Sequence, residues 1–354
     1  MDRQDLEKHL RALITIDETN DPFVSVSVDL TDPEALNRLR EQERKVRITL
    51  SPSERASFER AIGRIEGTIE SWRGSNAEGA AIFCREGAEP FFLALRFLVP
   101  LPTELTVDTL PHIFRLVELK DSYDRYVVLI VSEEEARILE VSLGEITRQI
   151  WSERPALRKR VGREWTRRQY QNHRRDRTDG FYREVIEVLE RRVLAGGFAH
   201  LVIAGSPRAI GALRPKLPKS LESRVVEVLS HSGKQAPSDV VRSTIGTFVE
   251  REQLETLQTV KLLREQVRRG TGLAVVGRDA TRAALEAGAA DILLLSADLG
   301  EDFTAREERE HLVRLANARG TLIEIVQNED LLDRYEGVGC LLRYPWTPVP
   351  EPVA

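Results

Sequence analysis

Cysteine is nearly absent from this chain of 354 residues, which has only Cys84 and Cys340. Two thiols so far apart in sequence give neither a disulfide framework nor the paired spacing of a zinc site, so reduced thiols are expected. Long apolar runs are missing as well. The longest, such as 91–95 and 126–131, fall far short of the roughly 20 residues needed to span a bilayer. The opening stretch MDRQDLEKHL is charged and has no apolar core of a secretory signal, so a cytoplasmic location is expected. The histidines, His9, His112, His173, His200, His231 and His311, make no HExxH or HxxxH spacing and no pairing with cysteine. That removes the common zinc chemistries, and no cofactor is expected. Lysine is scarce too, with 8 of the 52 basic residues against 44 arginines. Genome composition accounts for such a bias, and arginine also suits bidentate phosphate contacts.

What the chain does have is 41% apolar and 31% charged residues, evenly mixed, which describes a globular protein. At about 100–200 residues per domain its length allows two to four domains. In the first stretch, Val24, Val26, Val28 and Leu30 alternate with Ser25, Ser27 and Asp29, the pattern of a half-buried strand. Ser51, Pro52 and Glu54 read as a helix start, and Phe58, Ala61, Ile62, Ile65 and Ile69 then share one helical face. Segments 79–85 and 91–97 read as paired strands. The stretch 98–111, with three prolines, leads to a second unit near Val117.

That second unit begins with strands at 126–132, 136–143 and 145–150, followed by a basic segment and a helix at 179–194. Strand 201–204, a helix from Pro207 and strand 225–229 suggest a Rossmann-like parallel sheet. Residues 238–269 read as two helices with a junction near Glu250, and alternating strands and helices fill the remainder. The expected fold is therefore α/β in three domains: an α+β domain at 1–116, a Rossmann-like central domain with a basic loop-helix insertion at 117–249, and a small α/β domain at 250–354.

Catalytic constellations are hard to find. Gly205-Ser206-Pro207 lies where a strand turns into a helix; a helix cap is the ordinary reading, and an anion site the alternative. No GxSxG surrounds Ser206. Gly270, Gly272 and Gly277 fail the dinucleotide spacing and precede a strand. Glu133, Glu134 and Glu135 read as a solvated turn, and Glu118, Asp121 and Asp124 lack the further ligand that a metal site requires.

The segment 154–177 is different. Ten of its 24 residues are basic against Glu164 and Asp176, giving +8 and leaving −13 for the rest of a chain whose formal charge is −5. Trp165, Gln169, Tyr170, Gln171, Asn172 and His173 are interleaved with the arginines. Charge attracts phosphates, planar groups stack on bases and amides reach base edges, so the pattern fits an RNA-binding surface. A solvated helical face, or ion pairing with the acidic remainder, is the competing explanation. So little interspersed acid weighs against pairing within the helix.

The order of parts resembles the archaeal and eukaryotic class-one release factor and Pelota superfamily, in its bacterial branch, which includes the Balon-like ribosome-hibernation factors. GLAVVGRDATRAALEAGAADILLLSADL at 272–299 and GVGCLLRYPW at 337–346 are similar to the third domain of that superfamily. PFVSVSVDL at 22–30, GAAIFCREG at 79–87 and the stretch 110–141 are similar to the bacterial branch. The resemblance implies a first domain toward the decoding centre, a central one toward the peptidyl-transferase centre, and a third that meets a translational GTPase of the EF-Tu type. No membrane partner is implied.

In that frame the basic segment falls where the release-factor Gly-Gly-Gln loop belongs. Gly162-Arg163 keeps the lead-in, but Glu164-Trp165 stands in place of the triplet. Hydrolysis of peptidyl-tRNA in the family relies on a close-approaching glycine backbone, and Trp165 adds bulk where Glu164 adds unfavourable charge. The resemblance thus implies rRNA contacts from Arg158, Lys159, Arg160, Gly162, Arg163, Arg167, Arg168, His173, Arg174 and Arg175. It also implies a tip at the peptidyl-transferase centre made of Glu164, Trp165, Thr166, Gln169 and Tyr170. The expected role is A-site occupation in hibernation or rescue, by a protein that is not an enzyme. The alternatives are a residual peptidyl-tRNA hydrolase using Gln169 or Glu164, and a soluble nucleotide-binding or adaptor protein using the Gly205 turn.

Overall fold

In the computed structural model the backbone is described for residues 1–72, 74–87, 89–153, 167–230, 235–297 and 303–346. Side chains are described for the same residues except 152, 153, 167–176, 303, 304 and 329. The chain divides into two compact units, residues 3–122 with 250–354, and residues 123–249.

The first unit starts with helix α1 (Arg3–Ile14), strand β1 (Phe23–Asp29), helices α2 (Ala35–Thr49) and α3 (Pro52–Ser71), and strands β2 (Gly79–Arg85), β3 (Phe91–Phe97) and β4 (Glu104–Asp108). The strands form an antiparallel sheet in the order β3-β2-β1-β4. Helix α3 begins as expected: Ser51 Oγ accepts from the Glu54 N–H, and the Glu54 carboxylate accepts from the Ser51 N–H at 2.8 Å, with Pro52 in the first turn. Its Phe58, Ala61, Ile65 and Ile69 cover Val24, Val26 and Val28. Strand β1 departs from the half-buried expectation, since Ser25 and Ser27 are each only 5% exposed. It is an interior strand, and both serines bond across the sheet's second face: Ser27 Oγ donates to Pro102 O at 2.5 Å, and Ser25 Oγ accepts from the His112 N–H at 3.0 Å. Strand β4 was hidden among Pro100, Pro102 and Pro111, all of which fall outside it, as an edge strand permits.

Helix α4 (Phe114–Ser122) runs through the expected 116/117 boundary, so the first unit continues to Ser122. Buried ion pairs hold it there. The Ile113 and Phe114 N–H groups donate to Glu310 Oε1 and Oε2 at 2.8 and 3.1 Å, a carboxylate on the positive end of α4. Arg314 pairs with Glu310 at 3.3 Å and donates to Pro111 O. Arg115 joins Glu104 at 2.6 Å to Glu118 at 2.7 Å. Burial opposes the charge of Glu104, yet Arg115, Arg309 and Arg306 hold its carboxyl below the usual range. Arg309, only 6% exposed, lies 3.9 Å over the Phe114 ring and donates to Ala297 O. For His112, burial works against the imidazolium, but the Asp108 hydrogen bond and the fields of Glu310 and Glu104 prevail and raise its pKa.

The second unit holds β5 (Tyr126–Val131), β6 (Glu135–Ser142), β7 (Glu145–Glu153), α5 (Arg167–Gly196), β8 (His200–Gly205), α6 (Pro207–Leu213), α7 (Lys219–Glu222) and β9 (Val225–Ser230). The sheet order is β7-β6-β5-β8-β9. Only β5, β8 and β9 run parallel, as the Rossmann-like expectation requires; β6 and β7 add an antiparallel meander. One face is covered by Phe181, Tyr182, Val185, Leu189 and Val193 of α5. The other meets Val240, Val241 and Phe248 of α8 (Pro237–Arg269), with Tyr126 stacked on Phe248 at 4.5 Å.

Helix α8 is a single element where two helices were expected. The compact units divide at 249/250, a position inside this continuous helix. Neither glycine nor proline interrupts the stretch from Glu250 to Arg269, so the spacing alone supplied no stop signal there.

After α8 come β10 (Ala274–Val276), α9 (Arg278–Glu286), β11 (Ala290–Ser296), α10 (Phe303–Arg319), β12 (Leu322–Val326) and β13 (Val338–Leu342). The sheet order is β10-β13-β11-β12, with only β11 and β12 parallel. Gly277, expected before a strand, instead joins β10 to α9 with φ +87°. Asp121 of α4 accepts from the Ile325 N–H on the outer side of β12 at 2.8 Å. Burial, together with Glu324, Glu252 and Glu118, pushes the Asp121 carboxyl up to about 8 against that hydrogen bond. Cys84 on β2 and Cys340 on β13 are both buried, and burial raises their thiols to about 11 and about 12.

Candidate nucleic-acid interface

The basic segment leaves the sheet from the end of edge strand β7 and returns through α5. Of the expected site residues, Arg158, Lys159, Arg160, Gly162, Arg163, Glu164, Trp165 and Thr166 lie outside the described residues. Arg167, Arg168, Gln169, Tyr170, His173, Arg174 and Arg175 occupy the first turns of α5, where the backbone is described and the side chains are not. The helix was expected from about Asp179, and the chain is already helical at Arg167. At 1.5 Å per residue, roughly 20 Å of helix separates Arg167 from Phe181, the first core residue of α5. Arg167 and Arg174, like Arg168 and Arg175, are two helical turns apart and share one stripe of the helix.

The other end of α5 is firmly held. Tyr182 Oη donates to Ser132 O at 3.2 Å, Asp179 pairs with Lys216 at 3.1 Å, and Ser220 Oγ donates to Glu190 at 2.5 Å. Phe181, Tyr182, Val185 and Leu189 bury the inner face. The core-facing half of α5 is thus fixed in the sheet's packing while its polar first half carries the arginines.

The rival features have structural explanations. A Cβ on Gly205 would stand 2.1 Å from Val131 O, so the glycine is needed for the close approach of β8 to β5. Ser206 Oγ accepts from the Ala209 N–H at 3.2 Å, an N-cap of α6 with Pro207 behind it. The turn at Glu133 and Glu134 is closed by Ser132 Oγ, which accepts from the Glu134 and Glu135 N–H groups, and Glu133 pairs with Arg208 at 3.1 Å. Glu118 and Asp121 serve Arg115, Gln327 and Ile325, and Asp124 belongs to the other unit.

Sequence reasoning missed one neighbour of the basic segment. Trp151 on β7 is 55% exposed, and the Arg137 guanidinium of β6 lies 5.5 Å from its ring centre. The two are register partners, and Ile130 is the partner of Arg137 on β5. Ile150 packs into the core on the α5 side, so Trp151 lies on the opposite face. Beside Arg137 is a cavity of about 40 Å³ lined also by Ile130, Gly205, Ser206, Gln235 and Pro237. Local alternation does not mark it, since Arg148 with Ile150 and Gln149 with Trp151 put one polar and one apolar residue on each face of β7.

Comparison with known families gives two adjoining matches. Residues 111–247 match bacterial archaeo-eukaryotic release factor family 10, and residues 254–346 match eRF1 domain 3. The two matches together support the release-factor and Pelota superfamily, in its bacterial branch. The family 10 match takes in β5 to β9, all of α5 and the basic segment; the eRF1 domain 3 match takes in the last sheet. A protein pelota homolog from Ignicoccus hospitalis (strain KIN4/I / DSM 18386 / JCM 14125) is 29% identical over 156 residues, covering 41% of this chain and 44% of that protein. The aligned stretch therefore spans less than half of the curated relative's length. Among solved structures, the archaeal translation termination factor aRF1 is 17% identical, with 97% of this chain and 99% of that one covered and a TM-score of 0.30. Dom34 of S. cerevisiae, described as a translation termination-like factor, is 14% identical, with 77% and 81% covered and a TM-score of 0.45.

Proposed function

We propose that this protein is a ribosome-binding translation factor of the release-factor and Pelota superfamily that occupies the A site in hibernation or rescue without catalysing peptide release. One observation carries the reading: within the stretch matched by the bacterial release-factor family, residues 154–177 hold a net +8 while Glu164-Trp165 replaces Gly-Gly-Gln. Arg158, Lys159, Arg160, Arg163, Arg167, Arg168, Arg174 and Arg175 neutralise rRNA phosphates, and Gly162 and His173 lie among them. Trp165 and Tyr170 stack on or wedge against bases near the tip, next to Glu164, Thr166 and Gln169.

The anchoring of α5 in the sheet supports this reading, because a charged arm extending from a fixed base loses less freedom on binding than a free tail. The first domain would lie toward the decoding centre and the third would meet a translational GTPase of the EF-Tu type. Co-sedimentation with vacant 70S ribosomes tests the reading. Binding at low salt that weakens steeply with salt, by roughly 0.7–0.9 in the log–log slope per neutralised phosphate, is expected. Absence from the ribosome pellet at both low and high salt overturns it. Release of formyl-methionine from loaded ribosomes, abolished by Gln169→Ala, would instead make the protein a hydrolase.

A further inference from the structure

Trp151 is an exposed indole that the core does not use. It stands on edge strand β7 with 55% of its surface free, and the Arg137 guanidinium lies 5.5 Å from its ring centre, within cation–π range. Arg137 is tethered by Glu135 at 3.6 Å and by its place on the interior strand β6, so the pair is held from below. Two flat groups of this kind, one of them cationic, suit an unpaired nucleobase: every base has a π-face, and guanidinium and indole both stack on it. A protein partner fits less well, because three residues beyond Trp151 the chain enters the stretch with net +8, which favours a polyanion.

We infer that Trp151 and Arg137 form a stacking platform for a single unpaired base of RNA, at the root of the basic segment and distinct from its tip. The inference rests on the RNA-binding reading above and adds a fixed contact made by the sheet itself. The platform contributes affinity without reading sequence, since stacking tolerates any base. It touches no phosphate, so its loss leaves the salt dependence of binding unchanged, unlike the loss of an arginine from the segment.

The test uses the full chain with short single-stranded oligouridylate and oligoadenylate as probes, followed by tryptophan fluorescence and by direct binding over a salt series. Trp151→Ala is expected to weaken binding roughly 5-fold to 100-fold with an unchanged salt slope. Trp151→Phe retains most of the affinity while losing the Trp151 share of fluorescence quenching, and Arg137→Gln falls between. Thermal unfolding of each variant checks that the sheet is intact. Trp151→Ala binding as tightly as the parent, while Arg167→Glu with Arg168→Glu abolishes binding, overturns the platform and leaves the RNA-binding reading standing. A parent chain that binds neither probe nor ribosomes overturns both.

Discussion

Replacing Glu310 by alanine isolates the contact that fastens α4 to α10. Glu310 is 5% exposed, and its two oxygens accept from the Ile113 and Phe114 N–H groups at 2.8 and 3.1 Å while Arg314 pairs with it at 3.3 Å. A hydrogen bond to a charged group contributes about 1.5–3 kcal/mol net. Removing one member of a buried pair costs about 3–5 kcal/mol, because the partner remains charged and desolvated. These figures overlap, since both describe the same carboxylate, so the expected loss is about 3–5 kcal/mol. For a unit of this size each kcal/mol moves the midpoint by about 2–4 °C, which gives a drop of roughly 6–20 °C. Thermal unfolding followed by fluorescence in full-length backgrounds that keep a single tryptophan, Trp72 for residues 3–122 with 250–354 or Trp151 for residues 123–249, with the other three replaced by Phe, reads the two units separately. Glu310→Gln keeps one oxygen acceptor and falls between parent and alanine variant. A midpoint for Glu310→Ala within 2 °C of the parent, on the order of one exposed ion pair, would refute the assignment of this carboxylate as the fastening group.

Three further outcomes follow from the same structure. With its carboxyl pushed up to about 8, Asp121 holds its proton in the folded chain across a range where the unfolded chain has lost it, so stability declines as pH rises from about 4 to about 8. Asp121→Asn keeps an acceptor for Ile325 and is expected to flatten that decline, by at most about 1.4 kcal/mol per pH unit, in denaturant melts at pH 5 and pH 8; an unchanged slope counts against the buried-acid assignment. Gly205→Ala sets a Cβ 2.1 Å from Val131 O and should destabilise the 123–249 unit by about 3 kcal/mol or fail to fold, whereas a neutral result would mean the strands separate easily. Ser206→Ala removes the α6 cap at a cost of about 0.5–2 kcal/mol and leaves RNA binding unchanged; a loss of binding without a loss of stability would revive a ligand role for that turn.

The sequence revealed elements with strong local signals and hid those that depend on distant neighbours. The Ser51 capping box, the β2–β3 pair, and the helices after Pro207 and around Asp279 carry their own punctuation, and they appear where expected within a residue or two. Strand β1 read as half-buried because two serines alternate with its valines; their burial depends on Pro102 and His112, far away in sequence. The basic residues at 167–176 disguised the start of α5, since helical apolar spacing begins only at Phe181. Trp151 went unnoticed for a similar reason: its partner Arg137 is supplied by a neighbouring strand. The basic segment itself was legible from charge alone, and the missing Gly-Gly-Gln from direct inspection.

Asp121 has one more consequence, for self-association. Strand β12 borders its sheet, and a bare border is where a second chain adds a strand of its own. Here the outward amide of Ile325 is already taken by a side chain from α4, so an intruding strand would have to expel that carboxyl and the helix bearing it. At Ile325 the border is closed from within, and that residue offers a second copy no free amide on which to pair a strand.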